Sequence, residues 1–131
     1  MSDRPDPEGP PERLFTADDA DALLPELIGA IGRIKQARHV VLSRGRRIRE
    51  VSTRNGGGAP GKEYWEAMAT LRRDLQALAR LGVILRDAES GLIDFPAVRE
   101  DQDVFLCWRM GEERVAHWHG MEAGFAGRRR L

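Results

Sequence analysis

The spacing of apolar residues divides the chain at Gly82 into a helical first part and a stranded second part. From Leu27 to Val51 apolar residues recur at intervals of three, four and seven, and from Tyr64 to Leu81 at intervals of four and three. These intervals place apolar side chains along one face of a helix. We therefore predict a long helix that ends near residue 53 and a second helix over about residues 62–81.

The segment NGGGAPGK, residues 55–62, separates the two predicted helices. Glycine and proline end one helix and allow the chain to turn into the next. Two helices joined by a short loop pack against each other in opposite directions. The sequence therefore predicts a long antiparallel helical hairpin over residues 13–81, of the kind found in coiled coils.

The start of the first helix carries two opposing signals. Thr16 is a favourable N-cap residue, and the acidic residues that follow it suit the positive end of the helix dipole. Pro25 then lacks a backbone N–H and disfavours helical geometry at Leu24. The chain either kinks at Pro25, or forms a short helix over residues 17–23 and restarts with Pro25 in the first helical position. We favour the restart.

Beyond Gly82 the apolar period changes from near four to two. The stretches VILRD, GLIDFPAV, DVFLCWRM and RVAHWHG are separated by short turn-forming segments, which is typical of antiparallel strands. We predict a three- or four-stranded meander and a C-terminal tail over residues 82–131, with Pro96 ending or breaking its strand. The fold class is therefore α+β: a long antiparallel helical hairpin followed by a small antiparallel β meander.

Composition indicates where the folded domain begins and in which cellular compartment we expect the protein. Residues 1–12 are rich in Pro, Asp and Glu and predict a disordered tail, which leaves residues 13–131 as a single domain. The chain has one cysteine, no signal-peptide pattern and no apolar run of membrane-spanning length. We therefore expect a cytoplasmic protein that does not enter a membrane.

Several phrases of the sequence occur in a recognisable order: RLFT, LLPEL, LGV, GLIDFP, FLCWRMGEE and HWHGMEAGFAGR. In this order they resemble an uncharacterised bacterial family, domain of unknown function 2203, over about residues 13–131. The resemblance implies a helical hairpin, a small β region and a bacterial origin, and it brings no activity and no catalytic residue. In the family pattern Trp118 and His119 are expected together, with another residue at the position of His117.

Two histidines near the C-terminus are candidate ligands for zinc or iron. His117 and His119 project from the same face of a strand, and a third ligand could come from Cys107, Glu112, Glu122 or Asp94. A two-residue turn at residues 111–112 would place Cys107 opposite Ala116, on the Trp118 face and away from the histidines. A three-residue loop over residues 111–113 would place Cys107 beside His117.

The glycine that leads this turn favours the first register, which argues against a site made of Cys107 and the two histidines. A mid-strand cysteine between Leu106 and Trp108 is also more typical of a buried small side chain than of a catalytic thiol. The metal site is therefore the alternative and not the preferred interpretation. The preferred one has no cofactor, with one histidine in a hydrogen bond and the other on the surface.

Two further sites are candidates. Polar residues within otherwise apolar phrases could orient a small ligand or form a structural network, and we favour the network; they are Asp94, Arg109, Glu112, His119 and Arg128. The whole chain has no net charge, but residues 33–54 carry eight basic residues against one acidic residue. Arg46, Arg47 and Arg49 in this segment could contact phosphates, although a solvated helix face is the simpler interpretation.

Packing provides the leading functional hypothesis. Both faces of the predicted strands read as apolar, with Leu106 and Trp108 on one face and Cys107 and Trp118 on the other. A strand that is apolar on both faces is normally covered on both, and a second copy of the chain could supply the cover. We therefore expect a non-enzymatic, homodimeric interaction or scaffold module, which could also bind another protein. The alternative is a metal- or small-ligand-binding protein, conceivably an enzyme, centred on His119, and nucleic-acid binding comes third.

Overall fold

The computed structural model describes residues 13–55 and 60–131. Within them the chain forms two helices, α1 (Ala17–Asn55) and α2 (Lys62–Leu81), followed by a five-stranded antiparallel sheet. Its strands lie side by side in chain order: β1 (Ile84–Asp87), β2 (Leu92–Arg99), β3 (Gln102–Arg109), β4 (His117–Gly120) and β5 (Arg129–Arg130). The predicted α+β class is confirmed. The expected tail over residues 1–12 and residues 56–59 of the glycine segment lie outside the described residues.

Helix α1 begins at the predicted cap. The Thr16 hydroxyl accepts a hydrogen bond from the Asp19 backbone N–H, and the Asp19 carboxylate accepts one from the Thr16 N–H. This reciprocal pair satisfies donors that a helix start would otherwise leave without partners. It also lowers the pKa of Asp19.

The predicted restart at Pro25 is wrong, because α1 runs through this residue without a break. Proline removes only the hydrogen bond to the carbonyl of Asp21, and its ring is exposed to solvent. Leu24 and Leu27, on either side of it, are buried in the core. Burial of these two side chains holds the helix together across the missing bond.

Helix α2 packs antiparallel to α1, as two ion pairs between the helices show. Arg44 and Glu63 pair at 2.6 Å near the loop end, and Arg33 and Asp74 pair at 2.9 Å further along. Gly82 ends α2 in a left-handed conformation with φ of 84°, which glycine adopts without steric cost. The predicted bounds of α2 are therefore confirmed.

The sheet has two faces of different character. The helix face packs against α1 and α2 and belongs to the main apolar core; it includes Ile93, Phe95, Leu106, Trp108 and Trp118. The distal face points away from the helices and includes Asp94, Phe105, Cys107, His117 and His119. The expectation that both faces are apolar is wrong, because the distal face carries buried polar side chains.

The register of β3 and β4 decides which residues share the distal face. Cys107 lies opposite His117, and Leu106 lies opposite Trp118. The favoured two-residue turn is therefore wrong, and the pairing is that of the alternative register. The connection is longer than either proposed loop and spans residues 110–116. It is drawn toward α1, because the Val115 N–H donates a 2.7 Å hydrogen bond to the Asp21 carboxylate.

Two further predictions about the strands need correction. Pro96 lies inside β2 and does not end it. The pairing of β2 with β1 stops at Asp94, so the missing N–H of Pro96 removes no hydrogen bond between these two strands. The Pro96 carbonyl accepts a 2.8 Å hydrogen bond from the Phe15 N–H. The short strand β5 was not predicted, because two arginines carry no apolar alternation.

The C-terminal segment folds back over the distal face. A single 3₁₀ turn, Phe125–Gly127, follows β4 and precedes β5. Arg128 reaches Glu112 at 2.8 Å and lies over the Phe125 ring at 4.4 Å from its centroid. No helix within the described part of the chain is both long and apolar enough to cross a membrane.

Candidate metal and ligand site

Three buried side chains converge on the distal face, one from each of the three central strands. Asp94, Cys107 and His119 are 2%, 1% and 3% exposed. A carboxylate oxygen, the thiol sulfur and a ring nitrogen lie within 4.8 Å of one another. Asp94 and Cys107 are direct cross-strand partners, and His119 lies two pairs further along β3 and β4, opposite Phe105. We call these three residues the Asp–Cys–His cluster.

His119 is held in one orientation by both of its ring nitrogens. Nδ1 lies 2.8 Å from the Gly120 carbonyl oxygen, and Nε2 lies 2.9 Å from Asp94 Oδ2. A carbonyl oxygen can only accept, so Nδ1 carries the proton of that bond. Histidines that bind a metal through one nitrogen usually donate the other N–H to a carbonyl or a carboxylate. His119 is therefore arranged as a ligand that acts through Nε2.

The two oxygens of Asp94 have different surroundings. Oδ2 accepts a 2.8 Å hydrogen bond from Arg86 Nε and faces His119. Oδ1 is buried and has no hydrogen-bond partner among the described residues. A buried acceptor without a partner costs about 1–3 kcal/mol, and more when it is charged. Oδ1 is thus a buried acceptor with no partner in hydrogen-bond geometry, and the nearby Cys107 thiol is the group that the Asp94 carboxylate acts on.

The thiol of Cys107 is not activated as a nucleophile. Burial, together with the negative charge of Asp94, raises its pKa to about 11, although Arg128 opposes the shift. No hydrogen bond joins the thiol to His119 in the described part of the chain, because Nδ1 lies against the Gly120 carbonyl and Nε2 against the Asp94 carboxylate. A catalytic thiol needs a lowered pKa and a neighbouring base. The geometry therefore argues against catalysis by Cys107 on its own.

The same three side chains fit a tetrahedral metal ion. Zinc binds sulfur at about 2.3 Å and nitrogen or oxygen at about 2.0–2.2 Å, so its ligand atoms lie about 3.3–3.6 Å apart. The cluster spans from the 2.9 Å contact of His119 with Asp94 to its 4.8 Å limit. The spacing of a zinc site lies within this range, and the donor set of thiolate, imidazole and carboxylate is one that zinc accepts.

A cavity of about 290 Å³ opens directly beside the cluster. Asp94 and His119 form part of its wall, and Arg86, Leu92, Met121 and Phe125 form much of the remainder. A metal held by three protein ligands keeps a fourth position for water or another ligand. The cavity supplies space for such a ligand.

A second polar group lies next to the cluster. Glu112 Oε1 accepts hydrogen bonds from the Arg109 backbone N–H at 2.7 Å and from Arg128 at 2.8 Å. Burial opposes the ionisation of Glu112, but these two donors outweigh it and lower its pKa. His117 Nδ1 lies 3.4 Å from Glu112 Oε2, within ion-pair distance but without hydrogen-bond geometry.

The five predicted ligand-binding residues therefore divide between two neighbouring groups. Asp94 and His119 belong to the cluster, whereas Glu112 and Arg128 pair with each other. The Arg109 guanidinium lies over Phe125, 5.1 Å from the ring centroid. Cys107 lies between the groups, because Arg128 and Asp94 both act on its thiol.

Of the two histidines predicted as metal ligands, only His119 belongs to the Asp–Cys–His cluster. His117 shares the distal face but is directed to Glu112. Glu122, one of the proposed third ligands, lines the cavity instead. Asp94 and Cys107 were considered as ligands from the sequence, but the wrong register separated Cys107 from the histidines.

Sequence reasoning missed Arg86, which connects β1 to this site. Its Nε binds Asp94, and its guanidinium carbon lies 4.9 Å from the centroid of the Phe105 ring. The strand register shifts between Leu85 and Asp87, on either side of it. An arginine within the short apolar stretch VILRD was the available signal, since such a charge needs a partner.

The predicted nucleic-acid residues lie elsewhere, near the C-terminal end of α1. Arg46, Arg47 and Arg49 have exposed side chains. They share no element with the Asp–Cys–His cluster, which lies entirely on the sheet.

One protein-family model matches both structural parts of the chain, the helices and the sheet. The model of the family described as "Uncharacterized conserved protein (DUF2203)" matches residues 13–131, which includes both helices and all five strands. The chain belongs to the DUF2203 family. No match was found among curated proteins or solved structures. Membership in DUF2203 brings no activity with it, so function has to be argued from the site.

Proposed function

We propose that this DUF2203 protein binds a divalent transition metal through Asp94, Cys107 and His119, and that the metal faces a small-ligand cavity. The observation that carries the proposal is the convergence of a carboxylate oxygen of Asp94, a ring nitrogen of His119 and the sulfur of Cys107 within 4.8 Å of one another, with the buried Asp94 Oδ1 left without a hydrogen-bond partner among the described residues. A cation bound to the Asp94 carboxylate would supply that partner. It would also stabilise the thiolate form of Cys107, which burial otherwise disfavours.

The competing interpretation is a structural network that needs no metal. A buried polar network is favourable when every member has a partner, and a partly satisfied one is costly. Here Oδ1 lacks a partner and the thiol is held in its neutral form. Asp94 also accepts a hydrogen bond from Arg86, whose positive charge partly neutralises the carboxylate. Because Asp94 Oδ1 has no hydrogen-bond partner among the described residues, we favour the metal over the network.

Zinc is the ion that the ligand chemistry fits best. The three side chains combine a soft sulfur, a borderline nitrogen and a hard oxygen, a mixture that zinc tolerates in tetrahedral sites. Iron, the other metal considered from the sequence, more often uses two histidines with one carboxylate when it binds outside clusters and haem. The cluster contains a single histidine.

The test is to measure metal content and affinity in protein purified without a histidine tag. Native mass spectrometry and elemental analysis of one sample should give one zinc ion per chain after zinc is supplied and excess is removed. Cobalt should replace zinc and give visible bands of a tetrahedral site, with a sulfur-to-cobalt charge-transfer band in the near ultraviolet.

Variants identify the ligands. Cys107→Ser changes little volume and should abolish the charge-transfer band, and His119→Ala should reduce metal affinity at least about tenfold. His117→Ala is the matched control, because it removes the same residue type from the same strand and face and leaves all three cluster residues in place. Far-ultraviolet circular dichroism identifies any variant that fails to fold. A folded wild-type protein that takes up no zinc or cobalt would refute the proposal.

The homodimer remains a prediction. Its sequence argument relied on two apolar sheet faces, and the distal face is polar and partly covered by the chain's own C-terminal segment. Apolar side chains are exposed on the hairpin instead, among them Leu42, Trp65 and Leu75. The same native mass spectrum gives the oligomeric state. Nucleic-acid binding through Arg46, Arg47 and Arg49 also remains a prediction, to be tested by the salt dependence of binding.

A further inference from the structure

We infer that the cavity beside the cluster takes a small monocarboxylate, with its carboxylate between the metal and Arg86. This inference rests on the proposed metal site and names the class of ligand that the site would accept. It depends on three properties of the cavity: the free donors of Arg86, the balance of charge around the metal, and the apolar walls.

Arg86 is fixed at the cavity with most of its donors unused. Its Nε donates to Asp94 Oδ2, and its guanidinium lies over the Phe105 ring. These two contacts hold the plane of the guanidinium. The two terminal nitrogens make no hydrogen bond to the described residues. These nitrogens belong to the rigid, planar guanidinium. Their N–H groups can therefore donate paired hydrogen bonds to the two oxygens of a carboxylate.

The charges disfavour a dianion in the cavity. A zinc ion carries two positive charges, which Asp94 and the Cys107 thiolate would neutralise. Arg86 and Glu122 then add one positive and one negative charge to the cavity wall, so the lining has no excess positive charge to offset a second negative charge on a ligand such as phosphate. A carboxylate group on the metal and on Arg86 therefore fits better than a phosphate group.

The walls and the volume describe the rest of the ligand. Leu92, Met121 and Phe125 provide apolar surface. A volume of about 290 Å³ lies at the lower end of the range for small-molecule sites, about 300–1,000 Å³. The ligand body is therefore short and apolar, and a nucleotide or a peptide would not fit within the cavity.

The experiment uses the full-length cobalt-loaded protein and follows its visible spectrum during titration. Butyrate is the probe, butyramide is the uncharged analogue of the same shape, and inorganic phosphate is the dianion. Butyrate should shift the cobalt bands in a saturable way. Butyramide and phosphate should bind at least about tenfold more weakly, because each loses a charge-assisted hydrogen bond or gains repulsion from Glu122.

Variants test the role of Arg86. Arg86→Gln should weaken butyrate at least about tenfold, and cobalt content is measured first in each variant because Arg86 also contacts Asp94. Arg99→Gln is the matched control: Arg99 also lies 4.9 Å from an aromatic ring, that of Trp118, but it does not line this cavity. The expected result is unchanged butyrate affinity in Arg99→Gln.

The outcomes separate the two proposals. Absence of cobalt binding in folded wild-type protein would overturn the metal site and this inference with it. Stoichiometric cobalt with no response to butyrate, or with equal affinity for butyrate and butyramide, would overturn the inference alone. Tighter binding of phosphate, or butyrate affinity that survives Arg86→Gln, would do the same.

Discussion

Metal binding at the Asp–Cys–His cluster should release the thiol proton of Cys107, and the cost of this release can be calculated. The thiol pKa is about 11 in the metal-free protein, whereas the metal binds the thiolate. Each pH unit below that pKa makes the thiolate tenfold rarer and costs about 1.36 kcal/mol. At pH 7, about four units below the pKa, deprotonation therefore costs roughly 5 kcal/mol.

The sign of the effect follows from this cost. Because deprotonation becomes easier as pH rises, the apparent affinity for zinc should rise about tenfold per pH unit between pH 7 and pH 9 from the thiol alone. Other groups at the site also exchange protons, so the slope of the wild type is not interpreted by itself. The Cys107→Ser variant keeps Asp94 and His119 and lacks only the ionisable thiol. Its slope should be lower than that of the wild type by one unit.

The assay is competition with a chromophoric chelator at several pH values, corrected for the chelator's own titration. Calorimetry in buffers of different ionisation enthalpy counts the released protons directly. The wild type should release one proton more than Cys107→Ser at pH 7. Equal proton release by the two proteins, with both of them folded and binding zinc, would refute the reasoning, since either the thiol would not be a ligand or it would already be ionised.

Three further predictions concern stability in urea, measured on metal-free protein. The neutral thiol is favoured by the fold, so stability should be intact below about pH 9 and should fall by about 3 kcal/mol as pH rises to about 11; if Cys107→Ser shows the same fall, another group causes it. Pro25→Ala should stabilise the protein by roughly 1–3 kcal/mol, because it restores the N–H that the Asp21 carbonyl lacks, and a loss of stability would show that the proline ring makes a favourable contact. Gly91→Ala should destabilise by roughly 2 kcal/mol or more, since φ is 68° and a new Cβ would lie 2.6 Å from Met110 Cβ; an unchanged midpoint would mean that Met110 moves away freely.

Local signals in the sequence were sufficient for the helices. The cap at Thr16 and the left-handed glycine at Gly82 are interactions within a few residues of the chain, so propensity and spacing predict them. Pro25 was misjudged for the opposite reason. Its local cost is real, but Leu24 and Leu27 bury their side chains against distant parts of the fold, and that gain does not appear in the local pattern.

The candidate site was predicted only in part. Asp94 and His119 were predicted as ligand-binding residues, whereas Cys107 was considered as a metal ligand and set aside because the wrong strand register separated it from the histidines. A shift of one residue moves every side chain of a strand to the other face. Arg86 was missed because its partner Asp94 becomes visible only when β1 and β2 are paired.

The sequence by itself determined most elements of this protein: the cap at Thr16, the second helix with its end at Gly82, and then antiparallel strands in chain order. These depend on period, caps and turn residues, which act over a few positions. Only the tertiary structure decided that Cys107 lies on the distal face with Asp94 and His119. The hydrogen bond from Val115 to Asp21 and the burial of Trp108 in the main core favour that register. Because these contacts join residues far apart in the chain, no local pattern could reveal them.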